Sequence, residues 1–289
     1  MMHGTWRLAR ENDLPELADF LTAREHACVS FTAQLRRGTA LVLPPKLRER
    51  VAIFETEQAE IKAAILHAST GFVFPVFTDE LTTVPRANAR VLMPLRHPPL
   101  TFGAVMGRRR DVDLFQSIVS AKSRNDMVYY LMWRPAGISA PPPHHPDVPK
   151  VRRATAEDFR ALLPLQEAYE REEVLLPGRS LIPRVVEQNL RSALKDQLII
   201  LGENSRGPVS KVATNARGLV FDQVGGVFTL PEYRNRGVAS HLMRHLIHQV
   251  GLEGRATTLF VKKHNEPAVA MYRRLGYRTA GDFRILYYR

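Results

Sequence analysis

The chain has 289 residues, 45% hydrophobic and 24% charged, the balance of a soluble globular protein long enough for one large or two ordinary domains. No apolar run reaches the roughly 18 residues of a membrane span, and the lone cysteine, Cys28, excludes an intramolecular disulfide and any multi-cysteine zinc site. The formal net charge of +12 divides unevenly: residues 1–150 carry 19 basic and 15 acidic side chains, residues 151–289 carry 22 and 14. A basic C-terminal half suits a ligand bearing several phosphate charges rather than nucleic acid, since the basic residues are dispersed and no aromatic-and-basic RNA motif or helix-turn-helix pattern is apparent.

The opening residues contain no apolar segment of signal-peptide type, which predicts a cytoplasmic protein with no membrane partner. Cys28 lies in the apolar-leaning stretch 27–31 and reads as a small buried hydrophobe. Later in this half the pattern predicts a strand over 101–106, the run Gly107-Arg108-Arg109-Arg110, a helix over 112–119 and a strand over 126–133. Residues 135–149 are dense in proline and lack any period, so they read as an extended linker, with His144 and His145 in solvent. The second half opens with a strand over 151–154 and an amphipathic helix over 158–171. Strands follow over 197–201, 209–216 and 219–228, then a helix over 239–250 and a strand over 257–261. A helix over 266–275, capped by Asn265 and stopped by Gly276, and a strand over 283–288 complete the chain.

This alternation predicts an α/β fold with a mixed central sheet flanked by helices. Arg7, Ala9, Asp13 and Leu17 recur as Arg152, Ala154, Asp158 and Leu162, an offset of 145 that is close to half the chain. The expected organisation is therefore a degenerate or accessory unit over 1–134, a linker over 135–149 and a working unit over 150–289.

The densest chemical signal is 227–239, VFTLPEYRNRGVA: a strand, a proline break, a basic turn, and small residues opening a helix. The first amides of a helix have no intrahelical partner and sit at the positive end of its dipole, so they suit an anion. Gly237 and Ala239 let a bulky ligand approach the backbone, while Arg234 and Arg236 add charge. The pattern R-x-x-G-x-A after V-x-T-x-P resembles the acyl-CoA pyrophosphate loop of the GNAT superfamily of N-acetyltransferases. Asn265, Ala268, Tyr272, Gly276 and Tyr277 also match the N-x-x-A-x-x-x-Y-x-x-x-G-[FY] pattern that follows that loop in the superfamily. The resemblance covers about the last 140 residues, from Val151 onward, and the first half reads as a degenerate GNAT-like copy.

The resemblance implies a GNAT fold, mostly antiparallel, in two tandem GNAT-like domains, with acetyl-CoA as co-substrate and no metal. It implies that the strand amides around Val227, Phe228 and Thr229 hold the pantetheine arm, and that Arg234, Arg236, Gly237, Val238 and Ala239 wrap the diphosphate, with Asn265 as a further contact. It also implies that Tyr272 protonates the departing thiolate, and that two strands splay near Gly225 and Gly226. The base is sought among Glu170, Glu172 and Glu173, with Glu173 as the chosen catalytic candidate; a solvated acidic turn explains the same residues. Asn215 and Gln223 are polar candidates without a role.

His241, His245 and His248 share a helix face, but the apolar stripe Ala239, Leu242, Met243, Leu246 and Val250 lies opposite, so the histidines are expected in solvent and not on a metal. Gly107 begins a pattern that lacks a second small residue two places on and has Asp111 and Asp113 beside it, which predicts that the first half binds CoA poorly or not at all. The expected activity is transfer of an acetyl group to a primary amine of a small molecule. Acetylation of protein lysines or N-termini, and a CoA sensor without turnover, are the alternatives.

Overall fold

Branched and aromatic side chains pack well on a pleated surface, and this chain carries them in two sets of runs. The computed structural model describes residues 3–37, 40–43, 50–85, 90–92, 102–119, 122–138, 143–175 and 178–288. The first set forms β1 (Gly4–Leu8), the short pair β2 (Arg36–Arg37) and β3 (Ala40–Leu41), β4 (Arg50–Thr56), β5 (Ile61–His67), β6 (Phe72–Phe77), β7 (Ala104–Arg108) and β8 (Asn125–Arg134). The second forms β9 (Lys150–Arg153), β10 (Ile199–Asn204), β11 (Gly207–Arg217), β12 (Phe221–Thr229), β13 (Ala256–Lys262) and β14 (Arg278–Tyr287). The helices are α1 (Leu14–Thr22), α2 (Glu25–Leu35), α3 (Arg109–Gln116), α4 (Phe159–Tyr169), α5 (Pro183–Asp196), α6 (Val238–Leu252) and α7 (Glu266–Arg274), and a π-helical turn, Glu170–Val174, continues α4.

Apart from the β2–β3 pair, the strands form one sheet in the order β1-β4-β5-β6-β7-β14-β8-β13-β12-β11-β10-β9. Only β6–β7 and β12–β13 run parallel, so the sheet is mostly antiparallel. The order reads as two five-strand sets facing each other across an exchanged pair: β14 lies beside β7, β8 lies beside β13, and β8 and β14 pair with each other from Trp133↔Arg278 to Asn125↔Tyr287. One core packs α6 and α7 on the sheet through Val238, Leu242, Leu246, Val250 and Tyr272. Another packs α4 and α5 through Leu162, Leu165 and Leu190.

The repeat is present in three dimensions. Arg7 forks between Asp13 (2.6 and 2.7 Å) and Glu55 (2.8 and 2.7 Å), and Arg152 forks in the same way between Asp158 (2.8 and 2.6 Å) and Glu203 (2.9 and 2.9 Å). Between the halves, Glu25 of α2 is fully buried and accepts from the backbone amides of Leu219, Val220 and Phe221 at 2.6, 2.6 and 2.9 Å. That contact turns Leu219 and Val220, expected inside a strand, into the bend before β12.

Other expectations move too. The helix over 183–196 had no predicted counterpart, because its buried residues Val186 and Leu190 form a narrow stripe on an otherwise polar segment. The strand expected over 101–106 runs instead from Ala104 to Arg108, and Thr101 lies outside the described residues. The proline-rich connection is not simply solvated where it is described. Val148 is buried against Leu242 and Gly202, and Gly137 lies against Gly251 at the far end of α6; residues 139–142 lie outside the description. Cys28 is buried as expected, and burial pushes its thiol well above the usual range.

Candidate active site

The parallel ladder between β12 and β13 runs from Phe221↔Ala256 to Gln223↔Thr258 and then stops, so from Val224 to Thr229 β12 has no strand partner on that side. The ladder on its other side, with β11, is irregular between Lys211 and Ala213 and again between Thr214 and Ala216. Gly226 sits in this opened stretch at φ +62°, a left-handed conformation that a residue with a Cβ adopts only under strain. Val227 is half-buried against the α6 core, Phe228 packs toward α4, and Thr229 is buried with its hydroxyl 2.8 Å from that of Ser210.

From Thr229 the chain passes through a single 3₁₀ turn, Pro231–Tyr233, into α6. Gly237 is the N-cap of α6 at φ +83° and no side chain caps the helix, so its first amides keep their donors for a ligand. Gly237 is exposed and Ala239 small, while Val238 is buried and anchors the turn. Asn265 caps α7, accepting from the Ala268 amide at 3.2 Å. The two arginines of the loop are held. Arg234 donates to the Thr229 carbonyl (2.9 Å) and to Glu172 (2.8 Å), and the exposed Arg236 to Asp147 (3.3 Å). His145 reaches the same loop: the Asp147 amide donates to its Nδ1, and Nε2 then donates to the Arg236 carbonyl at 2.9 Å.

Tyr272 is buried on α7, its ring centroid 5.7 Å from that of Tyr277, and burial holds its phenol well above the usual range, with Tyr277, Tyr169 and Glu173 adding to the effect. Burial likewise pushes Tyr169 and Tyr129 up to about 12, with the Glu173 charge contributing to each. The charge of Glu173 is thus felt at all three phenols. Its carboxylate accepts from Lys262, at the end of β13, at 2.8 Å. Together with Glu172–Arg234, this pair draws the π-helical turn across the mouth of the opened strands. Glu170 is held from the other side by Gln166 (2.9 Å) and Asn189 (3.4 Å). Asn215 and Gln223 bond each other at 2.9 Å, and Gln223 meets Ser30 of α2, so they serve the junction between the halves.

Lys211 was not singled out from the sequence. It is 3% exposed, its Nζ lies 3.3 Å from the Gly226 carbonyl and 4.6 Å from the Tyr169 ring centroid, and burial lowers it to about 8. The sequence signal was a lysine flanked by the apolar and small residues Val209, Ser210, Val212 and Ala213 of a strand.

The histidine expectation is corrected. His241 is buried, its ring centroid 5.2 Å from that of His145 and 4.9 Å from that of His245, and burial beside those rings lowers it to about 4. The helical stripe was read correctly, but the connection carrying His145 covers the opposite face. No cluster among the described residues has the make-up of a metal site.

The reading of Gly107 is also corrected. By sheet position β7 matches β13, so Gly107 precedes the counterpart of α7, and the counterpart of the anion loop is the segment after β6, which begins Thr78-Asp79-Glu80. Asp111 faces no ligand; it is buried and takes a bidentate pair of bonds from Arg108 at 3.0 and 2.9 Å. An open cavity of about 730 Å³ lies beside this region, lined by Arg108, Arg109, Arg110, Asp113 and Asp282 among others.

Residues 216–277 match the family model described as the acetyltransferase (GNAT) family. No curated protein matches the sequence. Among solved structures, a Drosophila protein superposes over 98% of this chain and 98% of its own at a TM-score of 0.64 and 12% identity. A GCN5-related N-acetyltransferase from Sphaerobacter thermophilus covers 98% and 94% at 0.57 and 15% identity. A tandem GNAT protein from the clavulanic acid biosynthesis pathway covers 100% and 99% at 0.56 and 12% identity. At such identities the superpositions speak for the fold, which is that of tandem GNAT proteins along the whole chain, and within that fold residues 216–277 carry the sequence match to the acetyltransferase (GNAT) family.

Proposed function

We propose that the C-terminal half catalyses transfer of an acetyl group from acetyl-CoA to a primary amine of a small molecule. The observation that carries this is the uncapped start of α6 at Gly237, set at the end of a β12 edge that has no strand partner. The amides following Gly237 fit a diphosphate, Arg236 adds charge at the rim, and the open edge from Val224 to Thr229 suits an extended amide-bearing arm. When bound, acetyl-CoA supplies a thioester carbonyl to the acceptor.

The chain's own residues then divide the work. The β12 edge orients the arm and offers backbone donors to carbonyl oxygen. Tyr272, placed by the motif and protonated at neutral pH, is the candidate to give a proton to the departing thiolate. Glu173, paired with Lys262, is the candidate to take the proton of the incoming ammonium, directly or through water. The two ion pairs tie the π-helical turn to Arg234 and to the end of β13, and a turn fastened over the acceptor side supports a small acceptor over a peptide. The first half carries Asp79 and Glu80 in its counterpart of the anion loop, and we propose that it binds no CoA.

Calorimetric titration with acetyl-CoA, followed by thiol release with a panel of amines, tests this reading. Binding is expected at micromolar concentrations, and Gly237→Val, which forces a branched side chain into the left-handed position, is expected to weaken it at least about tenfold. No heat with acetyl-CoA on folded protein overturns the proposal. Binding without turnover of any amine would instead make the chain a sensor.

A further inference from the structure

Several basic side chains withdrawn from water among the described residues come with a carboxylate. Arg255 and Arg217 share the buried Asp222, and Arg108 holds Asp111. Lys211 does not follow the pattern. It is the most deeply buried lysine or arginine among the described residues, yet its one hydrogen bond is a long one, to the Gly226 carbonyl, and its other neighbour is the face of Tyr169. A cation–π contact and a single carbonyl do not replace the hydration of an ammonium, so two of its three donors stay unused at a cost to stability. The backbone approaches the ammonium closely at this point, where only glycine fits. A Cβ on Gly226 would stand 3.2 Å from Nζ, and the left-handed backbone there favours glycine as well.

The position is informative. Lys211 lies on β11 under the end of α4, and its partner Gly226 belongs to the stretch of β12 that has parted from β13. The roof over it is the junction of α4 with the π-helical turn, and that turn is tied down by Glu172–Arg234 and Glu173–Lys262. Such partly exposed ion pairs contribute little and open readily. A ligand entering under that turn meets an ammonium with no carboxylate in contact, on which Glu170 acts only from a distance.

We propose that Lys211 is the anion-recognition residue of the acceptor pocket, so that the acceptor is a small molecule bearing both a primary amine and a carboxylate, an amino acid or a close relative. The ligand carboxylate supplies the missing partner of the ammonium. The amine of the same molecule, a few bonds away, reaches the opened strands where Glu173 receives its proton. Burial leaves Lys211 predominantly cationic at pH 7, as this recognition needs. The inference rests on the proposed transferase activity and narrows its substrate.

The test uses the full-length protein with acetyl-CoA and amino acids, each paired with its own carboxamide and its decarboxylated amine, following thiol release; the same acceptors are titrated calorimetrically into the protein saturated with desulfo-CoA. In the parent, the carboxylate-bearing member of a pair is expected to lead by at least about tenfold in kcat/KM and to bind where its amide does not, as for a site built around one charged contact. In Lys211→Met that ratio falls toward one through KM, and Lys211→Arg recovers part of it. A rise in thermal midpoint in Lys211→Met shows that the variant is folded. Equal use, or equal binding, of acids and amides by the parent overturns the proposal, and so does an undiminished preference in Lys211→Met. Loss of acetyl-CoA binding in the parent defeats the transferase reading itself, a separate result from the acceptor arm.

Discussion

Among individual residues, those the motifs marked were legible because their reasons are local. Asn265 caps a helix, Gly237 adopts φ +83°, and Tyr272 follows at helical spacing on the buried face of α7. Tyr272→Phe removes only a hydroxyl. It is expected to lower kcat by about 100-fold or more while acetyl-CoA affinity, measured by calorimetry, stays within about twofold of the parent. Lys211 and His241 were illegible because their surroundings come from distant segments. For Lys211 the folded state holds the lysine at about 8 against 10.5, so between those values the unfolded chain binds more protons and stability rises with pH. At pH 7 the cation is buried and unpaired, and Lys211→Met is expected to be the more stable protein by about 1–3 kcal/mol in urea unfolding, the gap closing as pH climbs from 8 toward 10.5. His241, lowered to about 4, behaves with the same sign at lower pH: the unfolded chain takes up a proton first as pH falls below 6.5, so stability is lost from there toward 4. His241→Gln is expected to flatten that part of the urea-midpoint profile.

At the level of elements, the sequence marks repeats better than it marks surroundings. The offset between Arg7 and Arg152 could be read from four residues, but Glu55 and Glu203, the third members of the two forks, are contributed by the neighbouring strands β4 and β10 and were not noticed. Each fork ties the first strand of a half to its neighbour and to the helix that follows. Arg152, helped by the Thr155 amide, holds Asp158 near 2, below its usual 3.8, so this support is present above 3.8 and is lost as pH falls through 2. Because Arg152 is about one-third exposed, solvent screens the pair, and Asp158→Asn is expected to cost about 1–2 kcal/mol in chemical denaturation at pH 7. A cost indistinguishable from zero would mean that the fork only orients the strand. The helix α5 was missed for a related reason: its stripe of two buried residues is too narrow to be told from a polar loop. The unpredicted π turn matters more, since it places Glu172 and Glu173 where they meet Arg234 and Lys262.

For the whole molecule, alternation of strands and helices was enough to read a mixed sheet and the likeness of the halves, but not which strands are neighbours at the centre. A strand's pattern of apolar residues says which face it buries and leaves its lateral partner open. Here each half lends its last strand: β8 covers the β13 edge and β14 covers the β7 edge, while Glu25 caps the turn before β12 from the other half. A fragment carrying 143–289 would expose the edge of β13, and one carrying 1–134 would expose that of β7, and unpaired edges of this kind template aggregation. The two fragments are therefore expected to be insoluble or self-associated when produced singly and to co-purify as a one-to-one complex when produced together, as read by size-exclusion chromatography with light scattering. Glu25→Ala, which strands three backbone amides, is expected to weaken that complex at least about tenfold. If 143–289 alone runs as a folded monomer with full acetyl-CoA affinity, the exchanged strand adds nothing to the site. If affinity appears only on recombination, the first half acts by holding β13 at the angle that keeps β12 open.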